Sequence, residues 1–389
     1  MNDLYLNRAI EPTIKEASSY FPVISITGPR QSGKTTLLKH LFPAYAHFSM
    51  KDLNIRDFAT NDPIAFLNQN DHMLIDEIQT TPILLEYIQG IVDNKPERRF
   101  AITGSSNFEL LKGISESLAG RVGVFELLPM TLEESQQEEH AHNKSTDERL
   151  FDGFYPAVCA GKNVPHFFYP SYVKTYIERD VRDIMRIQNQ SLFIKFIKMC
   201  AARTGSIFNA YDISNQLGID SKTVKNWLSV LQASYLITLL PPYYENISKR
   251  LIKSPKLYFN DTGLLCYLLD IESPQQLGRD KMRGAIFENF IVMDIIKQRY
   301  NKGKDGGVFF YRDSNQNEVD ILLKQEGAFT AIEIKSSMTY NKEFEKTVSK
   351  IDSWINAPVA QKAVVYAGDF ENTSHDVKIL RYDHLSSIL

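Results

Sequence analysis

The chain has 389 residues, 43% of them hydrophobic and 23% charged, with a formal net charge of −3. This length predicts two or three compact units. The composition excludes a disordered chain, and the near-neutral charge gives no overall pull toward nucleic acid. No segment is long and apolar enough to anchor the chain in a membrane, and "MNDLYLNRAIEP" has no basic segment followed by an apolar core, so the expected location is the cytoplasm. Cys159, Cys200 and Cys266 stand far apart without metal-ligand spacing, which predicts buried thiols.

Residues 21–42, "FPVISITGPRQSGKTTLLKHLF", run from an apolar strand through GxxxxGK[ST] into a helical pattern. The loop Gly28, Pro29, Arg30, Gln31, Ser32, Gly33 is expected to wrap phosphates with its backbone N–H groups, helped by Lys34, Thr35 and Thr36 at the helix N-terminus. Lys34 is expected to reach the β and γ phosphates and Thr35 to be a ligand for Mg²⁺. "HMLIDEIQ", residues 72–79, is a short apolar strand ending in two acids: Asp76 for the Mg²⁺ shell and Glu77 to polarise an attacking water. "RFAITGSSNFELL", residues 99–111, is a further strand whose end presents Ser105, Ser106 and Asn107 either as a γ-phosphate sensor or as helix caps. In "SESLAGRVGVFEL", Arg121 is a candidate transition-state arginine, acting within the chain or on a neighbouring subunit.

"GPRQSGKTTLL", "LIDEIQ", "TGSS" and "SLAGR" together resemble the AAA-type ATPase domain of a large group of bacterial and archaeal ATP-binding proteins whose C-terminal half is a domain of unknown function. The resemblance continues through "YIERDVRDI", "AARTGSIFN", "KRLIKSPKLYFNDTGL", "FEN" and "YRDSNQNEVDILL", and so covers nearly the whole chain. It implies ATP and Mg²⁺ as ligands, with roles carried by Lys34, Thr35, Asp76 and Glu77, and by Ser105 and Arg121.

Residues 131–149, polar and acidic, predict a solvated helix or linker and a domain boundary near 150. From Ser171 to Arg203 helical periodicity follows, with Arg179 and Arg182 on a solvated face or near the nucleotide. "NAYDISNQLGIDSKTVKNWLSVLQASYLITLLPPYY", residues 209–244, predicts a winged helix-turn-helix. Val224, Leu228 and Leu231 form its core face; Ser221, Lys222, Thr223, Lys225 and Asn226 are free to approach DNA, unless the unit is a lid or protein-docking module. Lys249, Arg250, Lys253 and Lys256, interleaved with Tyr258 and Phe259, form either a phosphate-neutralising patch or a strand edge guarded by lysines.

The last part predicts a helix bearing Glu288 and three strands, with Glu318 and Asp320 sharing one strand face and Glu333 and Lys335 another. Ile332 and Ile334 turn into the core. A helix glutamate, a strand aspartate and "ExK" resemble the restriction-endonuclease-like fold of the PD-(D/E)xK superfamily. That resemblance implies Mg²⁺ held by Glu288, Asp320 and Glu333 and charge stabilisation by Lys335; Val319 stands where the pattern has proline. The alternative is a Glu333–Lys335 ion pair in a domain that only docks DNA or protein. The expected architecture is α/β: a P-loop AAA-type domain over 1–150, a helical and winged-helix domain over 151–247, and a nuclease-like domain over 248–389. The expected partners are ATP and either DNA or a protein, with no membrane, and an oligomer remains open.

Overall fold

The computed structural model describes residues 5–104, 113–114, 116–137, 143–175, 189–244, 254–372 and 376–389. After a short helix α1 (Glu11–Ala17) comes a five-stranded parallel sheet in the order β2-β3-β4-β1-β5. Its strands are β1 (Val23–Thr27), β2 (Ala46–Ser49), β3 (His72–Asp76), β4 (Arg99–Gly104) and β5 (Val122–Glu126). Both faces of the sheet are covered, so its central strands are buried along nearly their whole length and read as mainly apolar runs rather than alternating ones. Val23, Met73, Ile75, Phe100 and Ile102 enter one core; Ile24, Ile26, Leu74 and Ala101 enter the other. Helices α2 (Lys34–Leu41) and α3 (Ile83–Asn94) contribute Leu37 and Leu38, and Leu84, Leu85 and Ile88, to these cores.

The expected solvated segment after residue 130 begins inside the protein. Thr131 caps a short helix, Leu132–Ser135, in a reciprocal capping box with Glu134, and Leu132, Glu134 and Ser135 are buried. Glu134 is inside because Arg8 pairs with it at 3.2 Å and the backbone N–H of Ala9 donates to it at 2.7 Å.

In the middle of the chain lie α4 (Gln190–Ala201), α5 (Ala210–Leu217) and α6 (Ser221–Ala233), then an antiparallel pair of β6 (Ile237–Leu240) and β7 (Lys256–Phe259). Asn209 and Asp220 cap α5 and α6, and Gly218 in the left-handed conformation ends α5, giving the short turn between the helices. Val224, Leu228 and Leu231 are buried as the periodicity predicts, and Lys222, Lys225 and Asn226 are exposed. Trp227 joins the buried face by packing on Phe193 and Phe196 of α4. Arg179 and Arg182 lie outside the described residues.

The β6–β7 pair crosses the boundary expected at 247/248, so that division runs through a hydrogen-bonded hairpin. One core extends from Leu6 through the middle helices to Ile388, binding the middle to the C-terminal part. The C-terminal mixed sheet has the order β12-β11-β10-β9-β8. Its strands are β8 (Val308–Arg312), β9 (Glu318–Gln325), β10 (Ala328–Lys335), β11 (Val359–Tyr366) and β12 (Val377–Arg381). Ile332 and Ile334 are buried as expected.

Helix α7 (Arg283–Asn301) is buried along most of its length and ties the parts together through its polar residues. Near its start, the Asn289 amide accepts from Phe259 N and Thr204 Oγ1, both at 2.7 Å, and donates to Phe259 O. Further on, Asp294 accepts from Leu132 N, Lys297 donates to Met130 O, and Asn301 donates to Glu134. At 1.5 Å per residue, this helix carries contacts about 20 Å from Glu288 to the segment that braces the phosphate loop.

Candidate functional site: a phosphate loop and a distant acid cluster

The loop between β1 and α2 has the backbone its glycines predict. Gly28 (φ 146°) and Gly33 (φ 93°) adopt positive φ, as does Gln31 (φ 63°). A Cβ on Gly28 would lie 2.3 Å from the Leu127 carbonyl oxygen, so only glycine lets the loop leave β1 there. Lys34 is buried and its ammonium donates to the carbonyls of Gly28 (3.0 Å) and Pro29 (2.8 Å). Burial pulls its pKa down to about 8, against the attraction of Glu77 and Asp76.

Because β4 lies between β1 and β3, the acids of β3 reach the loop across the end of β4. Thr35 Oγ1 donates to Asp76 Oδ1 at 2.7 Å, and Thr103 of β4 also donates to that carboxylate. The Glu77 N–H donates to Thr103 Oγ1 at 3.3 Å. Glu77 has a left-handed backbone (φ 58°). Burial works to raise its carboxyl, but Lys51 at 2.7 Å, the Gln79 amide at 2.5 Å and Lys34 outweigh that and hold it down to about 2. Glu77 is therefore a fixed carboxylate. A hydroxyl and a carboxylate in contact are the hard oxygen donors that suit Mg²⁺, and the buried Ser32 hydroxyl finds no hydrogen-bond partner among the described residues.

Sequence reasoning missed several groups here. Arg8 braces the loop from below, donating to Ser32 O and Leu128 O, each at 2.8 Å. Lys51 and Thr103 set the environment of the two acids. A cavity of about 310 Å³ opens beside Gln31, Ser32, Gly33 and Thr36, walled by Tyr5, Leu6, Pro156, Ala157, Ala160 and Lys162. These arrive from distant segments with no motif spacing to betray them.

Arg121 is not brought to the loop. Its carbonyl accepts from Val23 N at the start of β1, the opposite end of the strand from Gly28. Its guanidinium makes a two-pronged pair with Asp93 (2.5 and 2.9 Å). Arg121 and the loop thus lie at opposite ends of the parallel β1–β5 pair. Ser105, Ser106 and Asn107 lie outside the described residues.

In the C-terminal part, Glu288, Asp320 and Glu333 are neighbours close enough for Asp320 to act on both other carboxyls. Among the described residues no three Asp, Glu, His or Cys side chains are gathered into a ready-made ion cage. Lys335 Nζ is 2.5 Å from Glu333 Oε1, the ion pair anticipated as the alternative. Burial and Asp320 raise the Glu333 carboxyl above its ordinary range despite Lys335; burial and Asp320 likewise raise Glu288 despite Lys256. Lys256, expected either in a phosphate-neutralising patch or on a solvated strand edge, is buried at 2% exposure, and Tyr258 and Phe259 are buried with it. Burial disfavours the Lys256 charge, but Glu288, Asp320 and Glu318 outweigh it and hold its pKa above the usual lysine value. Lys249, Arg250 and Lys253 lie outside the described residues.

Comparison with known proteins matches three family models along the chain. A family model described as an AAA domain matches residues 20–136. Two domains of unknown function, DUF8612 and DUF4143, match residues 143–275 and 283–385. The chain thus carries an AAA-type domain followed by a C-terminal domain of unknown function. The second family boundary falls between 275 and 283, beyond the β6–β7 hairpin. An uncharacterized protein of Mycobacterium tuberculosis is 29% identical over 364 residues, covering 92% of this chain and 79% of that protein. An uncharacterized protein of Methanocaldococcus jannaschii is 23% identical over 353 residues, covering 82% and 75%. The solved Walker-type ATPase of Pyrococcus abyssi is similar to 68% of this chain and 96% of its own, at 14% identity and a TM-score of 0.47. No helix among the described residues is long and apolar enough to cross a membrane.

Proposed function

We propose that this protein is a Mg²⁺-dependent ATPase that couples its nucleotide state to DNA or a protein partner. The observation that carries this is the contact of Thr35 with Asp76 beside a glycine-shaped loop, with Glu77 held as a carboxylate at the next position. In this reading the loop N–H groups and Lys34 bind the phosphates, and the cavity walled by Tyr5, Leu6 and Ala157 receives the nucleoside. Thr35 and Asp76 would hold Mg²⁺, which supplies charge neutralisation at the phosphates when bound. Glu77 orients the attacking water and accepts its proton. Ser105 senses the γ phosphate, and Arg121, facing away from this chain's loop, serves a neighbouring subunit's nucleotide.

The test is Glu77→Gln. Steady-state hydrolysis should fall by about 10² to 10⁴-fold while ATP binding stays within a few-fold of wild type. Equal turnover in both proteins would remove Glu77 from the reaction.

The two helices and hairpin of the middle part act in this proposal as a winged-helix unit, presenting Lys222, Lys225 and Asn226 to DNA. The C-terminal sheet acts as a nuclease-like domain in which Asp320 and Glu333 hold a divalent ion and Lys335 stabilises charge at a scissile phosphate. The Glu333–Lys335 pair favours a second reading, a domain that docks DNA or protein without cutting it. Incubation with linear, nicked and single-stranded DNA plus Mg²⁺ or Mn²⁺ separates the two: cleavage lost in Asp320→Ala and Lys335→Ala supports the nuclease, and no cleavage by wild type supports docking.

A further inference from the structure

The acid cluster of the C-terminal sheet contains a cation that its motif does not supply. Lys256 projects from β7 with its side chain only 3% exposed; its Nζ lies 2.6 Å from Glu318 Oε1, 3.1 Å from Glu288 Oε1 and 3.9 Å from Asp320 Oδ1. The Tyr258 hydroxyl donates to that same Glu288 oxygen at 2.7 Å, and Arg312 Nη1 is 3.2 Å from the other Glu318 oxygen. This end of the cluster is filled by protein donors.

The opposite end differs. Asp320 Oδ2 accepts the Ile334 N–H at 2.8 Å, and Glu333 Oε1 holds Lys335. Glu333 Oε2 is buried and has no hydrogen-bond partner among the described residues. Four carboxylates, Glu288, Glu318, Asp320 and Glu333, are gathered with three cations, Lys256, Arg312 and Lys335. The orphaned oxygen is on the Glu333 side, away from Lys256 and Arg312.

We propose that Lys256 is a resident cation of this cluster, so that it takes one divalent metal ion, at Asp320 and the orphaned Glu333 oxygen, rather than two. The inference rests on the metal-binding reading of the C-terminal domain given above. A divalent ion needs carboxylate oxygens at about 2.0 to 2.6 Å, and beside Glu288 and Glu318 that volume is where the ammonium sits. An ion placed there would also meet the like charge of Lys256 at contact distance. Lys256 is not free to swing aside as a surface lysine is. Its backbone pairs with Leu240 and bridges to Ile207, and its ammonium lies 5.5 Å from the centre of the Phe310 ring. The cation thus comes from the hairpin that follows the helix-turn-helix, not from the sheet that bears the acids.

The test counts Mn²⁺ bound per chain by electron paramagnetic resonance, in nucleotide-free full-length protein, with every protein compared on an Asp76→Asn background so that the phosphate-loop site adds no ion. The expected counts are one for wild type, two for Lys256→Met, one for Lys256→Arg and none for Glu333→Gln. Two ions in wild type overturn the proposal, a result that does not depend on Lys256→Met folding. One ion in both wild type and Lys256→Met overturns the role of Lys256 while leaving the metal site standing. No ion in any of the four proteins overturns the proposal and the metal-binding reading together.

Discussion

The phosphate loop and the distal acid cluster are both charged sites at strand ends, yet they are assembled in opposite ways. At the loop, the residues of each motif end up on one another: Thr35 meets Asp76, Lys34 lies along its own loop, and Glu77 follows directly. At the cluster, the motif residues Glu333 and Lys335 turn to each other, while Glu288 and Glu318 are taken by Lys256 from another segment. A site built on one continuous strand-loop-helix is fixed by local backbone. One gathered from several strands and a helix takes its partners from whatever the tertiary fold delivers.

That contrast can be broken at the brace beneath the loop. Arg8 and Glu134 are both buried, and removing one partner of such a pair strands the other charge. Glu134→Gln should cost about 3 to 5 kcal/mol, read by denaturant unfolding at pH 7. The sign with pH is definite. Burial alone would raise the Glu134 carboxyl, but Arg8 and the N–H groups of Thr131 and Ala9 hold it below its ordinary 4.5. Its stabilisation is therefore complete above that value and lost as pH falls through the lowered pKa. The variant should lack this part of the acid-limb slope. An unchanged slope would show that the brace does not stabilise the loop.

A smaller effect is expected from Gly28→Ala, which forces a side chain toward Leu127 O at positive φ. Overpacking of this kind costs about 1 to 3 kcal/mol, visible as a lowered Tm together with weakened ATP binding. A stable variant with normal affinity would mean that the loop does not depend on this close approach. The smallest is Tyr235→Phe. Tyr235, between α6 and β6, donates to Thr27 Oγ1 at 2.6 Å, immediately before the loop. Its removal should cost about 0.5 to 1.5 kcal/mol in unfolding free energy, and no loss would show that the middle helices touch the ATPase strand without stabilising it.

What the sequence made legible follows the same division. The apolar runs of β1, β3 and β4, the loop glycines, the face of α6 and the three strands ending in "AIEIKSS" are local patterns, and each lies where its period placed it. Lys256 was misplaced because a lysine beside other lysines reads as surface; only the fold supplies the carboxylates that justify its burial. Glu134 was misplaced likewise, since its partner Arg8 is 126 positions away in the numbering. Arg121 sits in a glycine-flanked turn that the sequence cannot orient, and only strand direction shows that this turn lies at the end of β1 away from the loop.

The most direct measurement is ATP affinity by equilibrium titration of wild type and Lys34→Ala, each with Mg²⁺. Removing a buried ammonium from its phosphate partners should weaken binding by about 10² to 10³-fold, and hydrolysis should disappear with it. Equal affinity and turnover in the two proteins would contradict the assignment of the loop Gly28 to Thr35 as the nucleotide site.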